Sequence, residues 1–171
     1  MDETRWLTPT EQTAWRKLSA ILTKLPGALE AQLQRDADLS HMSYWVLALL
    51  SEEPDRTLPM SRLAHRAHAS LSRLSHLVGR LEARGWVRRQ RCTTDARVQF
   101  VMLTDAGYDK VVAAAPGHVA AVRRLVFDGL SPTDVADLDR VCAQLLHRLD
   151  PTGELAYRPA TDVGAPVGDA P

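Results

Sequence analysis

The sequence is short of several things that would point elsewhere. It holds two cysteines in 171 residues, Cys92 and Cys142. That argues against a disulfide framework and suits a reducing compartment. No run of about 18 or more apolar residues occurs, so no membrane-spanning helix is expected. The opening segment MDETRWLTPTEQ is acidic and polar, unlike a secretory signal, and a cytoplasmic location is expected. There is no nucleophile elbow, no glycine loop to cradle a phosphate and no paired-carboxylate motif. Neither an enzyme nor a bound cofactor is therefore expected. Net charge is also absent, with 21 Lys+Arg against 21 Asp+Glu. What is present is an apolar content of 45%, enough for a core and too much for wholesale disorder. The length suits one domain, or one intertwined unit that needs a partner.

The zero net charge hides an asymmetry. Residues 1–56 hold 6 basic and 9 acidic side chains, and residues 106–171 hold 6 and 9 again. Between them, residues 57–105 hold 9 basic against 3 acidic, and all nine cations are arginine. The guanidinium fork suits phosphates and guanine edges. A basic centre between acidic flanks reads as a polyanion-binding module inside a non-binding scaffold. A solvated arginine-rich surface is the alternative that charge alone leaves open.

Helix starts repeat one signal: an apolar residue, a hydroxyl, then helix formers. Leu7-Thr8-Pro9 with Glu11, Leu39-Ser40, Leu103-Thr104, and Leu130-Ser131-Pro132 with Asp134 each predict an N-cap. The first helix places Trp15, Leu18, Leu22, Leu25, Leu29 and Leu33 on one stripe, and Pro26-Gly27 is expected to kink or interrupt it. The last repeats the pattern with Val135, Leu138, Val141, Leu145 and Leu149. Between them, residues 104–129 predict a long helix bent at Pro116-Gly117. Such stripes at both ends fit either a monomer core or a dimer interface, and their length favours the dimer. Residues 150–171 carry four of the ten prolines and no periodicity, which predicts a flexible, dispensable tail.

The basic middle predicts a helix-turn-helix followed by a wing. Residues 60–68 (MSRLAHRAH) form a short helix capped by Ser61. A second helix, Ser70–Arg84, turns Leu71, Leu74, Leu77, Val78 and Leu81 to one face at 100° per residue. Its other face carries Ser72, His76, Gly79, Arg80 and Ala83, with Arg73 and Ser75 at the edges. Small residues allow close approach and short polar ones supply donors, as a helix reading the major groove requires. Gly85 ends the helix. Trp86–Arg91 and Val98–Leu103 predict a two-stranded hairpin carrying Arg88, Arg89, Arg91 and Arg97. As a wing it could place an arginine in the minor groove, with Asp95 holding Arg97 in orientation. The DNA-contacting set is thus Ser70, Ser72, Arg73, Ser75, His76, Arg80, Arg89, Arg91, Asp95 and Arg97. His65 and His68 stand three apart but lack further ligands at zinc spacing, so no metal is expected. Cys92 lies among arginines that would favour a thiolate. Cys142 is expected in the core.

The stretch MSRLAHRAHASLSRLSHLVGRLEARGWVRRQRCTTDARVQFVMLTDAG, residues 60–107, resembles the multiple-antibiotic-resistance regulator (MarR) family of winged-helix transcription factors. RLEARGWVRR, the Asp95-x-Arg97 pair and LTDAG carry the likeness, which extends over residues 8–149. It implies a mainly α fold with a small β-hairpin wing, divided into four parts. These are N-terminal helices for dimerisation and a cleft (1–56), a winged helix-turn-helix lobe (57–103), C-terminal dimerisation helices (104–149) and the tail (150–171). It also implies a homodimer on a pseudo-palindromic double-stranded DNA operator, usually a repressor, often released by a small aromatic or anionic ligand. Where the family carries Arg or Gly directly after the wing motif, this chain has Val98-Gln99. In the family the first two helices border the ligand cleft, which brings in Trp15, Arg16, His41, Tyr44 and Trp45, although Trp15 and Trp45 also suit a plain core. A protein-interaction winged helix without DNA binding, and a redox-responsive regulator using Cys92, are the alternatives.

Overall fold

The computed structural model describes residues 4–91, 95 and 97–150. The expectations for Cys92 and for residues 151–171 lie outside them. Helix α1 (Pro9–Ala37) is followed by α2 (His41–Ser51), strand β1 (Thr57–Pro59), α3 (Met60–Arg66) and α4 (Leu71–Ala83). Strands β2 (Val87–Arg91) and β3 (Gln99–Leu103) come next, then α5 (Asp105–Val122), a π-helical turn (Arg123–Phe127) and α6 (Pro132–Leu149). The chain is thus mainly helical with a small antiparallel sheet.

The predicted caps are in place. Thr8 and Glu11 form a capping box on α1, and Ser131 and Asp134 form one on α6. Ser40 and Thr104 each accept a backbone N–H three residues on. Ser70, expected as the first residue of its helix, is instead the N-cap of α4 and accepts from Arg73 N. The short helix α3 differs from expectation. It begins at Pro59–Met60 with no side-chain cap, and Ser61 lies inside it. Pro59 takes the N-cap position, so Ser61 falls at the second helical residue, past the place from which a hydroxyl caps a helix. Helices α1 and α5 run through Pro26-Gly27 and Pro116-Gly117 without interruption. Both prolines face solvent, where the carbonyl left without a donor can be hydrated. The 104–129 segment passes from α5 into the π-helical turn at Arg123–Phe127.

The wing is three-stranded rather than two-stranded, in the order β1-β3-β2 and antiparallel throughout. Leu58 faces Val101, and Val87 faces Leu103. Strand β1 has only three residues, too few for an alternation signal. The core gathers Leu33, Val46, Leu47, Leu50, Leu58, Leu63, Leu74, Val78, Leu81, Val87 and Val101. Each such side chain removed from water contributes about 1.5–3 kcal/mol. It joins the helix-turn-helix to α2 and to the C-terminal part of α1.

Two turns set the orientation of α4. At the end of α3, His68 takes the left-handed conformation (φ 51°) while Ala69 N donates to Ala64 O at 2.9 Å. After α4, Gly85 sits at φ 74°, Gly85 N donates to Glu82 O and Trp86 N to Leu81 O, at 2.9 and 3.0 Å. This is a Schellman closure, and glycine occupies its left-handed position without strain.

Three expected core residues are not buried. Leu71 is 55% exposed and Trp15 57% exposed, and the Cys142 thiol is exposed. Leu71 sits at the boundary of the α4 apolar face, in the first turn of the helix. Trp15 lies on the N-terminal part of α1 and Cys142 on α6, which the described residues leave uncovered: α6 buries no residue, and α1 buries only Leu29, Gln32 and Leu33, near its C-terminal end.

Candidate nucleic-acid interface

The buried face of α4 (Leu74, Leu77, Val78, Leu81) pins the helix to the core and leaves Ser70, Ser72, Arg73, Ser75, His76 and Arg80 exposed on the outside. An alanine-sized group at Gly79 would meet nothing within 4 Å, so glycine here leaves open space above the helix. Arg73, Arg80, Arg88 and Arg91 are exposed and make no ion pair among the described residues.

Arg89 is placed differently from the other wing cations. Its Nε and a terminal nitrogen donate to Glu82 Oε2 at 2.8 and 2.6 Å, and its backbone N donates to Glu82 Oε1 at 3.0 Å. These bonds hold the Glu82 carboxyl below its usual range. Arg89 is therefore a strut tying β2 to α4, and its charge is largely matched. Arg84 is a second strut, donating to Asp38 O and Oδ2 at 3.0 and 2.9 Å with its guanidinium over Trp86.

At the wing, Asp95 Oδ1 accepts from Arg97 N at 2.9 Å and from Arg97 Nε at 3.3 Å. Asp95 O also accepts from Val98 N at 3.0 Å. The Arg97 side chain stays 93% exposed. The pairing that the Asp-x-Arg spacing suggested is thus present, with the terminal nitrogens projecting outward. Two exposed cations beside this surface, Arg62 on α3 and Arg88 on β2, are absent from the sequence-derived set. Their residue type was the only signal.

The proposed cleft residues divide. His41, Tyr44 and Trp45 lie on α2, where Tyr44 is buried and Trp45 packs against the core. His118 of α5, missed from the sequence, completes a ring cluster. Its centroid is 4.4 Å from Tyr44 and 5.9 Å from His41. His41 N donates to Glu30 Oε2 at 2.6 Å. Trp15 and Arg16 stand about 22 Å from Glu30 along α1, at 1.5 Å per residue, so one chain does not bring them to this cluster. Among the described residues no group of acidic, His or Cys side chains could hold a metal ion.

Burial lowers the pKa of both His41 and His118, with His41 adding to the effect on His118 and Glu30 partly opposing it on His41. The folded protein therefore holds both rings neutral below histidine's ordinary 6.5, where the unfolded chain already binds protons. Linkage then removes stability as pH falls through 6.5 toward the folded values. A shift from pH 7.5 to about 5.5 is expected to lower Tm more in the parent than in a His41→Asn/His118→Asn variant, as thermal melts across that range will show.

A family profile described as the MarR family matches residues 37–98. The chain is similar to Sco3205, a MarR family transcriptional regulator from Streptomyces coelicolor solved in complex with DNA. Identity is 47% and the TM-score 0.84, over 89% of this chain and 95% of that one. It is also similar to AbsC, a MarR family transcriptional regulator from the same organism, at 40% identity and a TM-score of 0.80, over 85% and 98% of the two chains. The transcriptional repressor MprA of Escherichia coli (strain K12) is 25% identical over 137 residues, 76% of this chain and 77% of that protein.

Proposed function

The chain belongs to the MarR family of transcriptional regulators, and on that premise we propose that it is a homodimeric repressor of a pseudo-palindromic operator. In this reading residues 57–103 bind DNA, residues 1–56 and 104–149 supply the dimer, and residues 150–171 are a tail without a part in either. Helix α4 enters the major groove through Ser70, Ser72, Arg73, Ser75, His76 and Arg80, while Arg91 and Arg97 serve the backbone and minor groove. A small aromatic or anionic effector entering beside His41, Tyr44 and Trp45 releases the complex. The site of action is the cytoplasm, where the DNA is.

The observation that carries this reading is the outer face of α4, polar and cationic, with arginines that no acidic side chain among the described residues neutralises. A winged helix built only for protein contacts has no need of that charge. The DNA complex of Sco3205 and the repressor activity in the name of MprA support the same assignment. Gel-shift titration against the DNA upstream of the chain's own coding sequence tests it. A salt-dependent, sequence-specific complex is expected, and its absence would favour the protein-interaction alternative.

Arg97→Ala isolates the wing. It removes one exposed cation per subunit and is expected to weaken operator binding by about 1–3 kcal/mol per half-site. The salt dependence should flatten by about two counterions per dimer. Stability should be unchanged, because the side chain is exposed and its ion pair contributes little. An unchanged affinity and salt slope would remove the wing from the interface.

A further inference from the structure

A lone exposed leucine is ordinary on a protein surface. Leu71 is singled out by where it stands. Every other large apolar side chain exposed among the described residues lies before residue 52 or after residue 111, in the segments assigned to the dimer. Leu71 alone stands in the winged-helix lobe, at the first position of α4. Ser70, the N-cap, precedes it, and Ser72 and Arg73 follow. Ser75 is one turn on, on the same flank of the helix. All four neighbours are polar or charged and exposed.

The first turn of a recognition helix is the part that reaches base edges. Among the groups displayed in the major groove, the thymine C5-methyl is the apolar one, and it is read by apolar contact. An exposed leucine at that place has no hydrogen bond to offer, and more than half of its surface is left uncovered by its own fold. Serines beside it can bond base edges, and the Arg73 cation can meet the phosphates. We propose that Leu71 is a specificity residue that reads the methyl group of a thymine in each operator half-site. This rests on the reading that α4 faces DNA. It adds a constraint the polar residues do not supply, because it distinguishes a T·A pair from A·T, G·C and C·G by a group without hydrogen-bonding capacity.

The test is a methyl deletion on both sides of the contact. Duplexes selected by the parent protein from a random library provide the operator. Each thymine of a half-site is then replaced in turn by deoxyuridine, which lacks only the methyl. At one position per half-site the parent should lose about fourfold in affinity, the scale of burying one methyl-sized group, and about fifteenfold when both half-sites are changed. Leu71→Ala should lose a similar factor on the unmodified operator and be indifferent to deoxyuridine at that position alone. Circular dichroism and Tm establish that the variant is folded, and the deoxyuridine scan on the parent stands without any variant. Parent binding that no deoxyuridine weakens overturns the proposal. So does a Leu71→Ala protein that keeps the parent's full deoxyuridine profile, because the leucine would then act on the helix start and not on the base. Failure of the parent to select any sequence would instead bring down the DNA-binding reading beneath it.

Discussion

Replacing Leu138 and Leu145 of α6 by glutamate is expected to give a monomer that has lost its operator. The two lie seven residues apart on one face, with Val135, Val141 and Leu149 on the same stripe. In the single chain all five are exposed, Leu138 at 38% and Leu145 at 41%, and α6 buries nothing. Most of a helix's stability in a protein comes from packing its apolar face, and α6 buries none of its own. The stripe therefore needs a second surface, and Trp15, Ile21 and Leu22 of α1 are exposed in the same way. A second copy of the chain can bury these faces together, at about 1.5–3 kcal/mol for each leucine removed from water. The double substitution would instead place four carboxylates in that contact per dimer. Sedimentation equilibrium at low micromolar concentration should show a monomer, and circular dichroism should show less helix. Operator affinity should fall about a thousandfold or more, toward the non-specific level, because a single lobe holds only one half-site. A dimer that survives the substitution, with operator binding intact, would place the interface elsewhere.

The second large effect is expected at Gly107, where alanine should destabilise the fold by about 3 kcal/mol or more. A Cβ there would lie 2.0 Å from the Trp86 carbonyl oxygen, 2.9 Å from the Trp86 carbonyl carbon and 2.8 Å from Leu103 Cδ1. The leucine methyl could turn away, but the Trp86 backbone has little freedom. Its carbonyl accepts from Thr104 N at 3.1 Å, and its N–H closes the α4 turn on Leu81 O. Thr104 Oγ1 also donates to Gly85 O at 2.7 Å while capping Gly107 N. The first turn of α5 is thereby laid against the end of the recognition helix, and a methyl group would pry them apart. Alanine's better helix propensity, about 1 kcal/mol, does not offset this. Urea denaturation measures the loss. Gly79→Ala, whose added methyl meets nothing within 4 Å, is the control and should melt no lower than the parent. Equal stability of Gly107→Ala and the parent would mean that the close approach is not a constraint.

What could be read from the sequence is what closes within a few residues. The caps at Thr8, Ser40, Thr104 and Ser131 bond backbone three positions away, so the residue types suffice to find them. The Gly85 closure and the Asp95–Arg97 pair are local in the same sense. The apolar period of α4 located its buried face to within one boundary residue, and that residue was Leu71. Tertiary structure decided the contacts between distant segments. Strand β1 exists because Leu58 pairs with Val101, more than forty positions later, and not because three residues make a strand. Glu82 draws Arg89 out of the free cations, and His118 meets Tyr44 across two helices. No local signal marks any of these, because each depends on which faces pack together. The exposure of α6 and of Trp15 belongs there too. The stripes announced that a surface must be covered, and only the folded chain showed that its own core does not cover it.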